Sequence, residues 1–188
     1  RKKLDIFGIS VCALGSSLGG GVLREIVLNS SPSYLFDGWS VLVVFAGVLF
    51  GVLSFRHAHR IQRGMLGIDA VGLVIFALLG ATRAADAGLG AVGITLLAIL
   101  SAVGGGVIRD VLIREIPEVF YQDLYATPAL FLGVVFALSG PYRVQPLFLY
   151  GLLLITLGIR LLAIKYRIQL WKPGGGGRGE HSSQRLDQ

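Results

Sequence analysis

The chain has 188 residues, 54% of them apolar and only 15% charged, with a mean hydropathy of +0.73. A soluble domain carries about 25% charged residues and needs more polar surface to cover its core; the balance excludes an ordinary soluble globule and indicates an integral, all-helical membrane protein. The formal charge of +6 sits in short segments that flank apolar spans without interleaved aromatics, so it carries topology information and excludes a nucleic-acid surface.

The first apolar span runs from Ile9 to Leu28 and contains Gly19, Gly20 and Gly21, followed by Arg24 and Glu25. The lone cysteine, Cys12, lies in it; it forms no intrachain disulfide and reads as packing. The second span, 39–55, opens on Trp39 at the interface and holds Gly47 and Gly51 at GxxxG spacing, which is either a close helix–helix contact or chance in a glycine-rich chain. A basic loop, 56–67, carries His57 and His59; two histidines without further ligands read as a solvated loop and not as a metal site. The third span, 68–81, has Asp69 near its start, where it would cap the helix at the membrane edge. The fourth, 91–113, contains Gly104, Gly105 and Gly106, followed by Arg109 and Asp110, and the fifth, 124–138, has Tyr125 at its edge. Residues 141–172 hold a final helix over Pro146–Ile164 with a basic end, and 173–188 form a polar tail whose composition predicts disorder.

The two glycine triplets belong to an internal repeat. Arg24 and Arg109 are 85 residues apart, and at that offset Gly8 falls on Gly93, Ser16 on Ser101, all three glycines on glycines and Pro32 on Pro117. Shared arginine and proline at fixed offsets do not arise from composition. The span 68–81 precedes the second triplet, while its partner would fall before residue 1. Each full repeat therefore has three spans: 1–67 is the first repeat lacking its first helix, and 68–140 is the second. A three-span unit is odd-numbered, so its copies cross the membrane in opposite senses. With the final helix the intact fold has seven helices, of which this chain holds six. Arg1, Lys2, Lys3, Arg56, Arg60, Arg63, Arg114, Lys165, Arg167 and Lys172 fall on one side, against Arg83 and Arg143 on the other, which puts both ends of the chain in the cytoplasm.

Glycine inside a helix costs roughly 1 kcal/mol relative to alanine, so a triplet placed twice reads as a pair of broken helices, the pattern that marks transport sites in inverted repeats. Carbonyls freed at each break would suit a cation, with the Ser17 and Ser101 hydroxyls nearby. The competing reading is that the glycines only allow close packing and the arginines snorkel to an interface. Arg24 and Glu25, like Arg109 and Asp110, are neighbours in sequence and point about 100° apart on a helix; they are expected to pair with other helices across the pseudo-twofold axis, with the guanidiniums neutralised by carboxylates such as Glu25 and Asp110 as structural pairs, or plugging the path as a charged gate. No catalytic triad, phosphate loop or zinc spacing is present, and the sequence indicates neither an enzyme nor a cofactor or metal.

These motifs are also familiar as a set. The run Leu4–Gly8 leading to Gly19–Arg24, with Gly104–Leu112, Pro117 and Leu124–Ala126 downstream, resembles the prokaryotic branch of the trimeric intracellular cation (TRIC) channel family, whose domain is also labelled a glycine transporter domain. The resemblance covers roughly residues 1–165. It implies two inverted three-helix repeats plus a final helix, a homotrimer in the cell's inner membrane, and one potassium-permeable pore in each protomer. The family's kinked second and fifth helices correspond to Ile9–Leu28 and Ala91–Ile113. The chain departs from the pattern in lacking the first helix and in having Glu25 where the prokaryotic members have aspartate. The reading is a monovalent cation channel; the alternative is a secondary transporter of glycine or another small amino acid.

Overall fold

The computed structural model describes residues 5–32, 38–54, 58–120 and 124–166. It contains six α-helices: α1 (Ile6–Val27), α2 (Gly38–Ser54), α3 (Ala58–Asp86), α4 (Ala91–Leu112), α5 (Thr127–Leu138) and α6 (Pro146–Tyr166). Short 3₁₀ turns at Glu118–Phe120 and Gly140–Val144 flank α5, and no strand occurs among the described residues. Four helices are long and apolar enough to cross a bilayer, over Phe7–Val27, Leu66–Asp86, Ala91–Leu112 and Pro146–Tyr166. The polar tail predicted to be disordered lies outside the described residues, as do His57 and the side chain of His59.

The centre of the fold is the crossing of α1 and α4. A Cβ built on Gly20 would lie 2.1 Å from the Ser101 carbonyl oxygen, and one on Gly105 would lie 2.1 Å from the Ser16 carbonyl oxygen. On either side, a Cβ on Gly19 would lie 2.6 Å from Ile108 Cδ1 and one on Gly104 2.7 Å from Leu23 Cδ1. Each contact turns into its partner when 85 is added to the residue on α1 and subtracted from the one on α4, which is the reciprocity of a two-fold axis. The contacts also run in opposite chain directions, Ser16 beside Gly105 and Gly20 beside Ser101, so the helices are antiparallel. Two equivalent segments that pass each other antiparallel are the arrangement that inverted repeats produce.

This contact corrects the expectation of broken helices. α1 and α4 are helical without interruption through both triplets, so no carbonyl is freed there. In a bilayer every backbone polar group must be satisfied internally, which holds the helix together against the weak propensity of glycine. Association there rests on close packing, and the missing side chains let one backbone touch the other.

The remaining helices wrap this pair. Small residues of α3 (Ala70, Ala77, Ala81, Ala84) are buried, and a Cβ on Gly80 would lie 2.5 Å from the Leu97 carbonyl oxygen of α4. Gly133 brings α5 equally close to α4, with Thr95 Cα 2.9 Å from a Cβ placed there. α6 packs on α3 and α5 through Leu152, Thr156, Arg160 and Ala163, one stripe at helical spacing, and α2 packs on α1. The outer faces are apolar: Trp39, Leu42, Phe45 and Leu49 of α2 and Leu147, Leu154 and Ile155 of α6 are exposed, as lipid-facing side chains are.

Two boundaries moved. Residues expected in the basic loop 56–67 enter α3 from Ala58 onward, and α3 runs on to Asp86, five residues beyond the expected 81. Asp69 therefore sits inside a helix and is not its cap. Hydropathy marks the part of a helix that lies in lipid, while the helix itself extends into the polar zone on both sides. Gly47 makes no close helix contact among the described residues; a Cβ there meets nothing within 4 Å. Cys12 is unbridged and partly buried.

Gly20→Ala and Gly105→Ala should each destabilise the protein by about 1–3 kcal/mol or more through overpacking, and by similar amounts, whereas Gly72→Ala, where a Cβ meets nothing within 4 Å, should be neutral. Thermal unfolding in detergent checks this; an innocuous Gly20→Ala would show that the helices do not touch there.

Candidate functional site

The C-terminal ends of α1 and α4 are built alike. Leu28 and Ile113 cap the helices through bonds to the Arg24 and Arg109 carbonyls (3.0 and 3.1 Å). The next residues, Asn29 and Arg114, take left-handed φ values of 50° and 58°. Ser30 N–H then donates to the Glu25 carbonyl and Glu115 N–H to that of Asp110, both at 2.9 Å. Asn29 N–H also donates to the Ile26 carbonyl (3.2 Å) and Arg114 N–H to that of Val111 (3.0 Å), which with the preceding bond and the left-handed residue makes a Schellman end at each helix. Asparagine tolerates that region; Arg114 carries the strain of a side chain in it.

The charge pairs sit in these last turns. Arg24 meets its own neighbour Glu25 at 2.7 Å, and Arg109 meets Asp110 at 2.8 Å. The expectation that they pair across the pseudo-twofold axis is thereby corrected: the long arginine side chain folds back over the 100° offset, and the two pairs lie at opposite ends of antiparallel helices. The second carboxylate oxygen of each pair fastens the return loop. Glu25 accepts from the Ser30 hydroxyl, and Asp110 accepts from Glu118 N–H at 2.9 Å. Arginine at a helix C-terminus also complements the macrodipole. The symmetry ends at burial: the Arg24 side chain is 6% exposed and that of Arg109 is 32% exposed, with Glu118 as a further partner at 3.6 Å.

Beside the glycine crossing lies a cavity of about 590 Å³ bounded by α1, α2, α3, α4 and Tyr125. Of the residues singled out from sequence, Ser17, Gly20, Ser101, Gly105 and Gly106 line it, joined by Ser16. Gly19, Gly21 and Gly104 do not; they are buried in the packing. Arg24, Glu25, Arg109 and Asp110 also stay outside its wall. The cavity is many times the ~30 Å³ a water occupies in the liquid. Its polar lining consists of hydroxyls, bare backbone at the glycines, and one carboxylate, Asp69. The Ser101 hydroxyl is buried and has no hydrogen-bond partner.

Asp69 belongs to a cluster whose other main member, Arg160 of α6, the sequence reading passed over. The guanidinium is 2% exposed; it lies 3.8 Å from the Asp69 carboxylate, donates to the Leu124 carbonyl at 2.9 Å and stacks 4.8 Å over the Tyr125 ring. Leu124 is itself left-handed (φ 54°), a costly state for leucine that Arg160 helps to hold. The signal was available: an arginine inside a 21-residue apolar helix is a functional hypothesis by default.

A family model described as Glycine transporter matches residues 1–56 and 66–140. The chain is 32% identical over 174 residues to the UPF0126 inner membrane protein YadS of Escherichia coli K12, covering 90% of this chain and 84% of that protein. A solved TRIC cation channel superposes with a TM-score of 0.84 at 29% identity, covering 90% of this chain and 85% of that one. A prokaryotic TRIC channel crystallised in 0.5 M KCl does so with a TM-score of 0.80 at 35% identity, covering 89% and 86%. The apolar helices and these relatives define a multi-pass, all-helical membrane protein. The chain belongs to the TRIC channel family, the one whose domain bears the glycine-transporter description.

Arg24→Ala should destabilise the protein by about 3–5 kcal/mol, because it strands a buried carboxylate. Arg109→Ala also leaves a buried carboxylate, Asp110, but its guanidinium is already 32% exposed, so water reaches the gap it leaves and the cost should be clearly less. Equal shifts in the detergent unfolding midpoint would contradict the burial difference.

Proposed function

We propose that the protein is a monovalent cation channel, with potassium as its main ion and with the path running through the cavity beside the α1–α4 crossing. The observation that carries this reading is the lining. Hydroxyls of Ser16, Ser17 and Ser101, backbone at Gly20, Gly105 and Gly106, and a single carboxylate are gathered in one cavity of a protein otherwise clad in apolar side chains. The hydroxyl and carboxylate oxygens among them can replace part of a cation's hydration shell, while the glycines leave the room. The likeness to solved cation channels supports the same assignment. The glycines contribute by bringing the helices together and leaving room beside them, while Arg24–Glu25 and Arg109–Asp110 act as structural pairs that hold the helix ends. We further propose a homotrimer in the inner membrane, with each protomer carrying its own path and both ends of this chain cytoplasmic.

A second reading, a secondary transporter for glycine or another small amino acid, is favoured by the description of the matching family model and by the inverted repeat, which transporters share. Purified protein in a planar bilayer separates the two. Unitary potassium currents are expected; saturable substrate uptake without unitary steps would overturn the channel reading in favour of the carrier.

A further inference from the structure

The ion pairs among the described residues are of two kinds. Arg24–Glu25 and Arg109–Asp110 are tight pairs, at 2.7 and 2.8 Å, that stay out of the cavity wall. Asp69 differs on both counts. It is the single charged side chain among the described residues that line the cavity, and its arginine stands off at 3.8 Å, beyond hydrogen-bond range. Arg160 is held elsewhere by the Leu124 carbonyl and the Tyr125 ring, so its charge is fixed near Asp69 without saturating the carboxylate. The Asp69 side chain keeps 35% of its surface exposed while that of Arg160 keeps 2%. Anion and counter-ion are thus unequally placed: the carboxylate is open to the cavity and the guanidinium is sealed behind it.

A second polar atom in the same wall waits for a partner. Ser101 is 1% exposed, and its hydroxyl has no hydrogen-bond partner, a state that costs free energy unless a ligand supplies the contact. Ser101 stands level with Gly80 of α3, its Cβ 2.8 Å from a Cβ placed there. Gly80 is eleven residues along α3 from Asp69, about 16 Å of helix at 1.5 Å per residue. Carboxylate and hydroxyl therefore mark different depths of one cavity.

We propose that Asp69, with Arg160 of the last helix fixed behind it, is the group that gives this path its preference for cations over anions, and that the Ser101 hydroxyl is an oxygen ligand the cation meets deeper in. This deepens the channel reading and rests on it. The carboxylate attracts a monovalent cation at one level; Arg160 weakens that attraction enough for the ion to leave; the hydroxyl offers a neutral oxygen at the next. Conduction requires this combination of favourable entry and weak holding.

Single-channel recording of the full chain in neutral bilayers tests this through the reversal potential in a KCl gradient. Asp69→Asn should lower the cation-to-anion permeability ratio by at least roughly threefold at low salt, with a smaller effect at about 1 M, where the Debye length is only about 3 Å. Asp69→Ser is the second variant, and the same loss is required in whichever assembles as the parent does. Ser101→Ala should leave the permeability ratio alone and raise the half-saturating potassium concentration by roughly threefold, the effect of one lost oxygen contact. If the parent conducts and the Asp69 variants keep its permeability ratio at low salt, the role of Asp69 is refuted while the channel reading stands. An unchanged half-saturation in Ser101→Ala refutes the second ligand. If the parent itself passes no unitary current, the channel reading fails and takes this inference with it.

Discussion

The structure depends on one contact: the backbones of α1 and α4 touching where Gly20 meets the Ser101 carbonyl and Gly105 meets that of Ser16. Lipid tails are as apolar as leucine, so helices in a bilayer gain little by hiding apolar surface from water and must associate by fit. Four residues without room for a larger side chain, arranged around a two-fold axis, supply that fit. Because the axis exchanges the two repeats, it also fixes their antiparallel sense and sets their Schellman ends and charge pairs at opposite ends of the crossing. The cavity is a by-product of the same geometry. Helices that meet at glycines diverge away from the meeting point, and the serines one turn from the glycines are left lining the gap.

Much of this was legible in the residues. Arginine, proline and glycine recurring at an offset of 85 pointed to the repeat, whose equivalent positions meet in the α1–α4 crossing. The meaning of the glycines was not legible. Helix propensity, measured in water, counts three glycines as a weak point; a bilayer enforces the backbone bonds and leaves close approach as their use. The partner of each arginine was equally hidden, because sequence adjacency suggests divergence on a helical wheel, yet a side chain as long as arginine closes the angle. Asp69 was placed at a helix start because hydropathy begins there, although the helix begins eleven residues earlier at Ala58. Arg160 was overlooked for a different reason: α6 lies outside the repeat, so the symmetry that drew attention to Arg24 and Arg109 gave no counterpart for it.

The departures from symmetry are concentrated on one side of the molecule. The second repeat has Glu118 beside Arg109, and Tyr125 against Gly106, where its hydroxyl lies 3.0 Å from a Cβ placed on that glycine. α6 adds Arg160, and through it the Leu124–Tyr125 corner and Asp69. The cavity itself lies to one side of the axis, lined by α2 and α3 but by no residue of α5. Directional properties of the path, such as rectification, would arise from this asymmetry and not from the repeat itself.

The central claim is that ions pass through the cavity beside the glycine crossing, and thiol modification tests it most directly. With Cys12 replaced by serine, a cysteine at Ser17, which is exposed within that cavity, is treated with a charged, membrane-impermeant thiol reagent during bilayer recording, and a cysteine at the lipid-facing Leu154 serves as the control. The account predicts that modification at position 17 reduces or blocks the unitary current while modification at position 154 leaves it unchanged. Full current through a channel shown to be modified at position 17 would contradict the account and place the path elsewhere.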